Sequence, residues 1–467
     1  MRRFLTILLT TLALTAALCV SASASNFDDA AEELARIGML KGSAGGFNLD
    51  QTPTRAQAAI MLVRLHGAED AAQRTFKSGR ITCPFTDVNE TAAPYVAWLV
   101  DEGLAAGTSE TTFGAAEPCT AKAYTIFLLR ALGYKDKEDF TSSSAQDFAA
   151  ARGIVDTSAG GTFLRDDLVA LTYQALGTTL KDGSTYLLDS LIQNEAIDYN
   201  AAYPMIEKIE NYRAINAASE SLTKGMNVNF NAAVAATTST TQAGETQPSG
   251  LVEQTKVSIK GSIKMVPSKT PRMAIELTTD VDGKSESVKM WIKSGWLYTQ
   301  TADGSTKMEL PDEYVEMLSS SMENNSGMSM LPFVESVTKK TSGSEEIYTI
   351  DFNETLNNMV NSLVGQVLTA SGLSADDAGV DLENVSAVYT VSAGTLKKAS
   401  MDASMSMSGG VDPETQAKTT IGIAMTMEMN VASSGSAVKI NFPDFSDFEE
   451  IIGGADAATG IFGSTAA

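Results

Sequence analysis

An internal repeat in the first half of the chain constrains its fold more than any other feature. Residues 38–67 read Gly38-Met39-Leu40-Lys41-Gly42, then Gly46-Phe47, then Thr54-Arg55-Ala56, then an apolar run ending Val63-Arg64-Leu65-His66-Gly67. Residues 103–133 repeat this as Gly103-Leu104, Gly107, Phe113, Thr120-Ala121-Lys122 and a run ending Leu129-Arg130-Ala131-Leu132-Gly133. Phe47, Thr54, Arg64 and Gly67 map onto Phe113, Thr120, Arg130 and Gly133 at one offset of 66 residues. A third, poorer copy runs from Asp147 through Gly153-Ile154-Val155, Phe163, Arg165 and Leu168 to Gly177. Each copy reads as helix, loop, helix. In the first, Ala30, Leu34, Ile37 and Met39 to Leu40 form a helical stripe, Gly38 and Gly42 break it, and Thr54 caps a second helix carrying Ala58, Met61, Leu62 and Leu65. One apolar stripe per helix cannot be buried within a single copy, so the copies must pack together.

The second copy is preceded by Phe85-Thr86-Asp87-Val88 and carries Tyr95, Val96, Trp98 and Leu99 on its first helix. The order Phe-x-Asp, a helix ending in Gly-Ile/Leu/Met-x-x-Gly, a Gly-x-Phe loop and Thr-Arg-Ala opening a second helix resembles the S-layer homology family over roughly residues 26–180. That resemblance implies an all-α pseudo-threefold bundle of three repeats, holding an exported protein on secondary polysaccharide of a Gram-positive cell wall. It also implies that the Thr-Arg-Ala-Glu segment lines grooves between repeats, its Arg meeting acidic groups of the polymer. Here Thr54-Arg55-Ala56-Gln57 matches with Gln for Glu, the second copy has Ala121 and then Lys122, and the third reads Leu164-Arg165-Asp166-Asp167. Thr54, Arg55, Arg165 and Lys122 are therefore the candidate polysaccharide contacts, because a guanidinium offers a planar charged fork to carboxylate or ketal groups. Local roles stay open: capping or pairing at the helix start for Arg55, and pairing with Asp166 or Asp167 for Arg165.

Composition narrows the chemistry. The 467 residues contain one His and three Cys, with a net charge of −23. Zinc, iron and Ser-His-Asp designs would all have to run through His66, so no catalytic residue, metal or cofactor is expected. His66 closes a repeat helix and reads as a favourable charge at its C-terminus. The acid excess excludes a nucleic-acid partner. Met1-Arg2-Arg3, an apolar run from Phe4 to Val20, and Ala22-Ser23-Ala24 read as a secretory signal peptide over residues 1–24. A retained membrane anchor is the alternative; with the signal removed, no membrane span is expected. Cys19 leaves with the signal, so Cys83 and Cys119 are a disulfide candidate closing a 35-residue loop, or else two buried free thiols.

Residues 181–224 read as mostly helical, 181–202 being a connector. Thereafter the period changes from 3.6 to 2. Val257, Ile259, Ile263 and Met265 alternate with Lys256, Ser258, Lys260, Ser262 and Lys264, and further strands hold Met273 to Leu277, Val288 to Ile292 and Trp296 to Tyr298. Asp282-Gly283 and Asp303-Gly304 mark hairpin turns, the former in place of a calcium loop. Helical stretches are expected between Asp312 and Ala370. Strands follow at Ile347 to Phe352, Ala387 to Val391, Leu396 to Met407, Ile421 to Val431 and Val438 to Phe442, with an exposed loop at Ala236 to Gly250 and a flexible tail at 447–467. About ten or eleven mostly antiparallel strands imply a curved sheet or half-barrel with covering helices, so the fold class is α followed by α+β.

Seventeen of the 20 methionines lie from Met205 onward. Met401, Met405 and Met407 share one strand face, and Met425, Met427 and Met429 share the next. They form an ordinary sheet core or the wall of an apolar cavity. The pattern over residues 203–446 resembles the LolA/LppX-type half-barrel lipoproteins in architecture alone. That resemblance implies a concave face for lipid, and a carrier or sensor of apolar ligands is the alternative to a wall-anchored protein.

Overall fold

The computed structural model describes residues 27–42, 45–158, 161–241, 253–323, 330–356, 379–411 and 418–451. The signal segment and the last sixteen residues lie outside this set.

The repeats fold into helix pairs. The first pair is α1 (Asp28–Arg36) and α2 (Arg55–Leu65), followed by an extra helix α3 (Glu69–Lys77). The second is α4 (Ala93–Asp101) and α5 (Ala121–Ala131); the third is α6 (Ala145–Ala150) and α7 (Arg165–Leu176). Each second helix packs on the first helix of the next copy: α2 on α4, α5 on α6, and α7 back on α1. The ring closes because every stripe finds its partner in a neighbour. Thr54 caps α2 through a capping box with Gln57, and the Thr120 hydroxyl accepts from Ala123 N–H. Gln57 thus serves the helix start.

The C-terminal ends are tied in a repeated way. Arg64 donates to the Met39 carbonyl at 2.9 Å, and Arg130 donates to the Leu104 carbonyl. In the third copy Gln174 replaces this arginine and bonds Val155 N–H at 2.7 Å. The ring is thus held by polar groups that stitch the end of each first helix to its own second helix.

Helices α8 (Leu187–Gln193) and α9 (Tyr199–Thr223) lead to the sheet. Its strands are β1 (Met226–Thr241), β2 (Glu253–Val266), β3 (Arg272–Val281), β4 (Lys284–Lys293), β5 (Trp296–Thr301), β6 (Gly304–Glu309), β7 (Val334–Ser342), β8 (Glu345–Phe352), β9 (Gly379–Ser392), β10 (Thr395–Val411), β11 (Lys418–Ser434) and β12 (Glu449–Glu450). Helix α10 (Asp312–Glu323) falls between β6 and β7. The order is β12-β6-β5-β4-β3-β2-β1-β11-β10-β9-β8-β7, antiparallel except for β12 beside β6. β7 and β12 end the sheet without meeting, so it is open and curved, not a closed barrel.

Four expectations change. β1 runs through Ala236 to Thr241, where an exposed loop was expected, because Val234 and Ala236 are buried against Val257 and Ile423. Val334 to Ser342 forms β7 despite having only two apolar residues; both are buried under α9. Val438 to Phe442 is not a strand. There Phe445 and Phe448 lay rings against Trp291 and Tyr298, Phe442 packs on Phe445, and Glu449–Glu450 then adds to the β6 edge where a tail was expected.

Bundle and sheet share one junction. Phe27 and Phe333 rings lie 5.2 Å apart, and Lys208 of α9 reaches Glu33 of α1 at 2.7 Å and the Val334 carbonyl at 3.1 Å.

Candidate functional site

The segments opening α2 and α7 lie on the loops of neighbouring repeats. Arg55 N–H donates to the Glu117 carbonyl at 2.8 Å and Ala56 N–H to Ala115 at 3.1 Å. In the same way Arg165 N–H donates to Gln51 at 2.8 Å and Asp166 N–H to Leu49 at 3.1 Å. These are free helix N-terminal donors, and the next repeat's loop satisfies them. Side chains at these positions therefore stand beside a loop from another repeat, which makes a groove.

The two arginines differ in what holds them. Arg55 Nη2 donates to the Ala106 carbonyl at 2.9 Å, and its Cζ lies 4.8 Å from the centre of the Phe113 ring. Its Nε is buried without a partner. The Arg165 guanidinium, half-buried, makes no hydrogen bond, ion pair or ring contact among the described residues. Its acidic neighbours are engaged elsewhere: Asp166 accepts from Phe27 N–H at 2.6 Å, and Asp167 accepts from the Thr157 hydroxyl at 2.6 Å and Leu164 N–H at 2.8 Å. The structure thus lacks the Arg165 pairing with Asp166 or Asp167 that the sequence left open. Burial lowers the Arg165 pKa, yet the group stays a cation at any physiological pH. Lys122 is exposed and unpaired among the described residues.

Asp87 supplies a contact whose importance the sequence did not reveal. Its carboxylate accepts from Phe113, Gly114 and Ala115 N–H at 2.8, 2.8 and 3.0 Å, and these bonds, Phe113 first, hold its pKa below the usual carboxylate range. The Phe-x-Asp motif was the available signal. Its acid braces the loop that receives Arg55.

Two expectations need correction here. Cys83 and Cys119 are free thiols, not a disulfide. Cys119 is held by its N–H on the Pro53 carbonyl at 2.8 Å and its Sγ turns to Thr120, whereas Cys83 Sγ faces the Phe85 carbonyl. Burial pushes the Cys119 thiol up to about 11 despite nearby Arg55, which favours the protonated form. His66 does cap α2, but as a neutral ring: burial lowers its pKa to about 4, and its Nε2 is buried without a partner. Loss of hydration there outweighs the helix-end attraction.

In the sheet, Met401 pairs with Met427, Ala403 with Met425, Met405 with Ile423 and Ala399 with Met429. On the far side of β11, Met429, Met427 and Met425 face Phe230, Ala232 and Val234. Opposed residues share a face, so these form one apolar surface. α9 covers one end through Ile215 and Ala218, and α10 the other through Tyr314, Val315 and Leu318. Between them Met405 is 2% exposed and Met427 37%. Met401, Met425 and Met429 are half-buried. Met407 pairs with Ile421 through its backbone; its side chain lies outside the described set.

Residues 84–120 match the S-layer homology domain model. That stretch contains the Asp87 brace, α4, the loop at Gly107 to Phe113, and Thr120. A match to this domain indicates association with the cell surface. No curated protein matches the chain. Among solved structures, LprF from Mycobacterium bovis is similar at 10% identity over 50% of this chain and 96% of its own, with a TM-score of 0.23. The ywiB protein from Bacillus subtilis is similar at 6% identity over 45% of this chain and 94% of its own, with a TM-score of 0.12. Likenesses at such scores carry no argument about fold or ligand here.

Proposed function

We propose that this is an exported cell-envelope protein, held without a covalent bond on acidic secondary polysaccharide of a Gram-positive-type wall by its three helical repeats, and displaying the curved sheet. The observation that carries this reading is the unpaired Arg165 guanidinium beside the loop of the first repeat. A half-desolvated, permanently charged fork lacking an internal partner suits a carboxylate or ketal of a polymer. Arg165 therefore leads the ligand set, with Lys122 as an accessory cation and Thr54 and Arg55 shaping the adjoining groove. Removal of a signal peptide at residues 1–24 accounts for export in this reading.

Purified mature protein is mixed with wall sacculi, with and without acid removal of the secondary polymer. Retention that depends on the polymer, and falls tenfold or more in Arg165→Ala, is the expected result. Equal retention on stripped sacculi, or an undiminished Arg165→Ala, overturns the proposal.

A second reading is favoured by one observation, the exposure of Met427 in the middle of an apolar surface whose two ends are covered by α9 and α10. Methionine adapts to apolar ligands of varied shape, so the sheet would carry or sense a lipid-like molecule. Native mass spectrometry of protein purified without detergent tests it: a copurified lipid lost in Met427→Glu supports the reading, and a repeatedly empty protein counts against it.

A further inference from the structure

The register of the central strands brings four methionines together on the apolar face of the sheet. One row of cross-strand neighbours runs Ala387, Met401, Met427, Ala232 over β9, β10, β11 and β1. The row on one side of it runs Val385, Ala403, Met425, Val234, and the row on the other side Tyr389, Ala399, Met429, Phe230. Met401 and Met427 therefore oppose each other directly, with Cα atoms about 4.5–5.5 Å apart as in any antiparallel pair. Met425 and Met429 flank Met427 on its own strand, each about 6.5 Å along it. Ala232, Ala387, Ala399 and Ala403 surround the central pair, so two long side chains stand among four short ones.

The central pair is not part of the packed core. Met425 packs against the buried cluster of Val234, Val257, Met405 and Ile423, and Met429 against the one that holds Ile215, Val391 and Leu396. Between these clusters Met401 is half-buried and Met427 is 37% exposed. The three rows contain no charged residue, and Tyr389 brings their one hydroxyl. Such a surface offers little to a hard cation, which takes oxygen ligands. Thioethers are different: each is neutral and polarizable, and its three rotatable bonds let several sulfurs converge on one centre. Among first-row metals the ion that such soft donors select is copper(I).

We infer that Met401 and Met427, with Met425 and Met429 completing the donor set, bind a soft monovalent metal ion of the copper(I) type on this face. The scarcity of His and Cys does not bear on such a site, because none of its ligands is a base or a thiol. Thioethers have no proton to release, so metal binding here is independent of pH, unlike binding to thiol or imidazole.

The test is titration of the full chain, carrying methionine labelled with carbon-13 at the methyl group, with silver nitrate in chloride-free buffer; silver(I) stands in for copper(I) because it does not change oxidation state. Zinc nitrate is a separate arm. Expected are shifts of the Met401 and Met427 methyl resonances that saturate at one silver per site, with an affinity that is flat from about pH 6 to 8. Met401→Leu and Met427→Leu, which keep apolarity and volume and so keep the fold, should each weaken this site tenfold or more. A lipid on the same face would be retained by both leucine variants, so loss of silver alone separates the two ligands. Silver that leaves the Met401 and Met427 resonances in place, as binding to the free thiols of Cys83 and Cys119 would, overturns the inference. So does a site that zinc fills equally well or that both leucine variants leave intact.

Discussion

Arg55 and Arg165 stand at matching positions of two repeats, each donating its backbone N–H over 2.8 Å to the next repeat's loop, but only the Arg55 guanidinium is engaged by that loop. The two should therefore separate stability from binding. Arg55→Ala loses a charge-assisted bond and a ring contact and should lower unfolding free energy by about 1–3 kcal/mol. Arg165→Ala should change it by less than about 1 kcal/mol. Urea denaturation of both variants checks the difference; equal losses would refute it.

Gly107 marks where the loop of the second repeat has no room. A Cβ there would sit 2.4 Å from both the Phe85 ring and the Ser109 carbonyl. Gly107→Ala should cost about 2–3 kcal/mol by overpacking. Gly103, at φ +67° with open space around it, should cost about 1 kcal/mol on the same change, from backbone strain alone. Thermal melts of the pair read the contrast.

The single histidine makes stability depend on pH. Its pKa falls from 6.5 to about 4 on folding because burial disfavours the charged ring. Above pH 6.5 both states are neutral and there is no effect. As pH falls from 6.5 to 4 the unfolded chain takes up a proton that the folded chain refuses, and stability drops by about 2 kcal/mol, allowing for partial exposure. Asp166, raised to about 7 by burial, acts oppositely over this range. The measurement is therefore the difference between wild type and His66→Gln, which should widen in favour of the variant as pH falls.

Lys208→Met tests the junction. It strands Glu33, which also accepts from the Tyr173 hydroxyl, and removes the donor to Val334. Breaking a buried pair of this kind should destabilise by about 2–4 kcal/mol. Double substitution with Glu33→Gln should recover part of that loss, seen as a rise in the denaturation midpoint.

Phe445 stacks on Tyr298 with ring centres 3.7 Å apart and anchors the segment that brings β12 to the β6 edge. Freeing a sheet edge invites pairing between chains. Phe445→Ala should raise concentration-dependent aggregation, read by light scattering, with little change in far-ultraviolet dichroism.

Periodicity is a local property, and what depends on it could be read directly. The repeat, the threonine caps, the change from helix to strand period, the Asp282-Gly283 turn and the shared face of the methionines all follow from residues a few positions apart. β7 was missed because only Val334 and Val337 carry its apolar signal, and they count as core only once α9 lies over them. Ala236 to Thr241 looks like a polar loop until Val257 and Ile423 are seen beside it.

The sequence alone therefore determined the broad architecture: that helical repeats must pack on one another, and that a sheet follows. The tertiary structure decided the fate of individual polar groups. Arg55 and Arg165 look alike in sequence. Ala106 and Phe113, some fifty residues away, engage the one, while Phe27, Thr157 and Leu164 occupy the acids beside the other. Likewise His66 lost its charge to burial under residues from distant repeats. A side chain's chemistry is set by the groups folding brings to it, and those contacts leave no period in the chain.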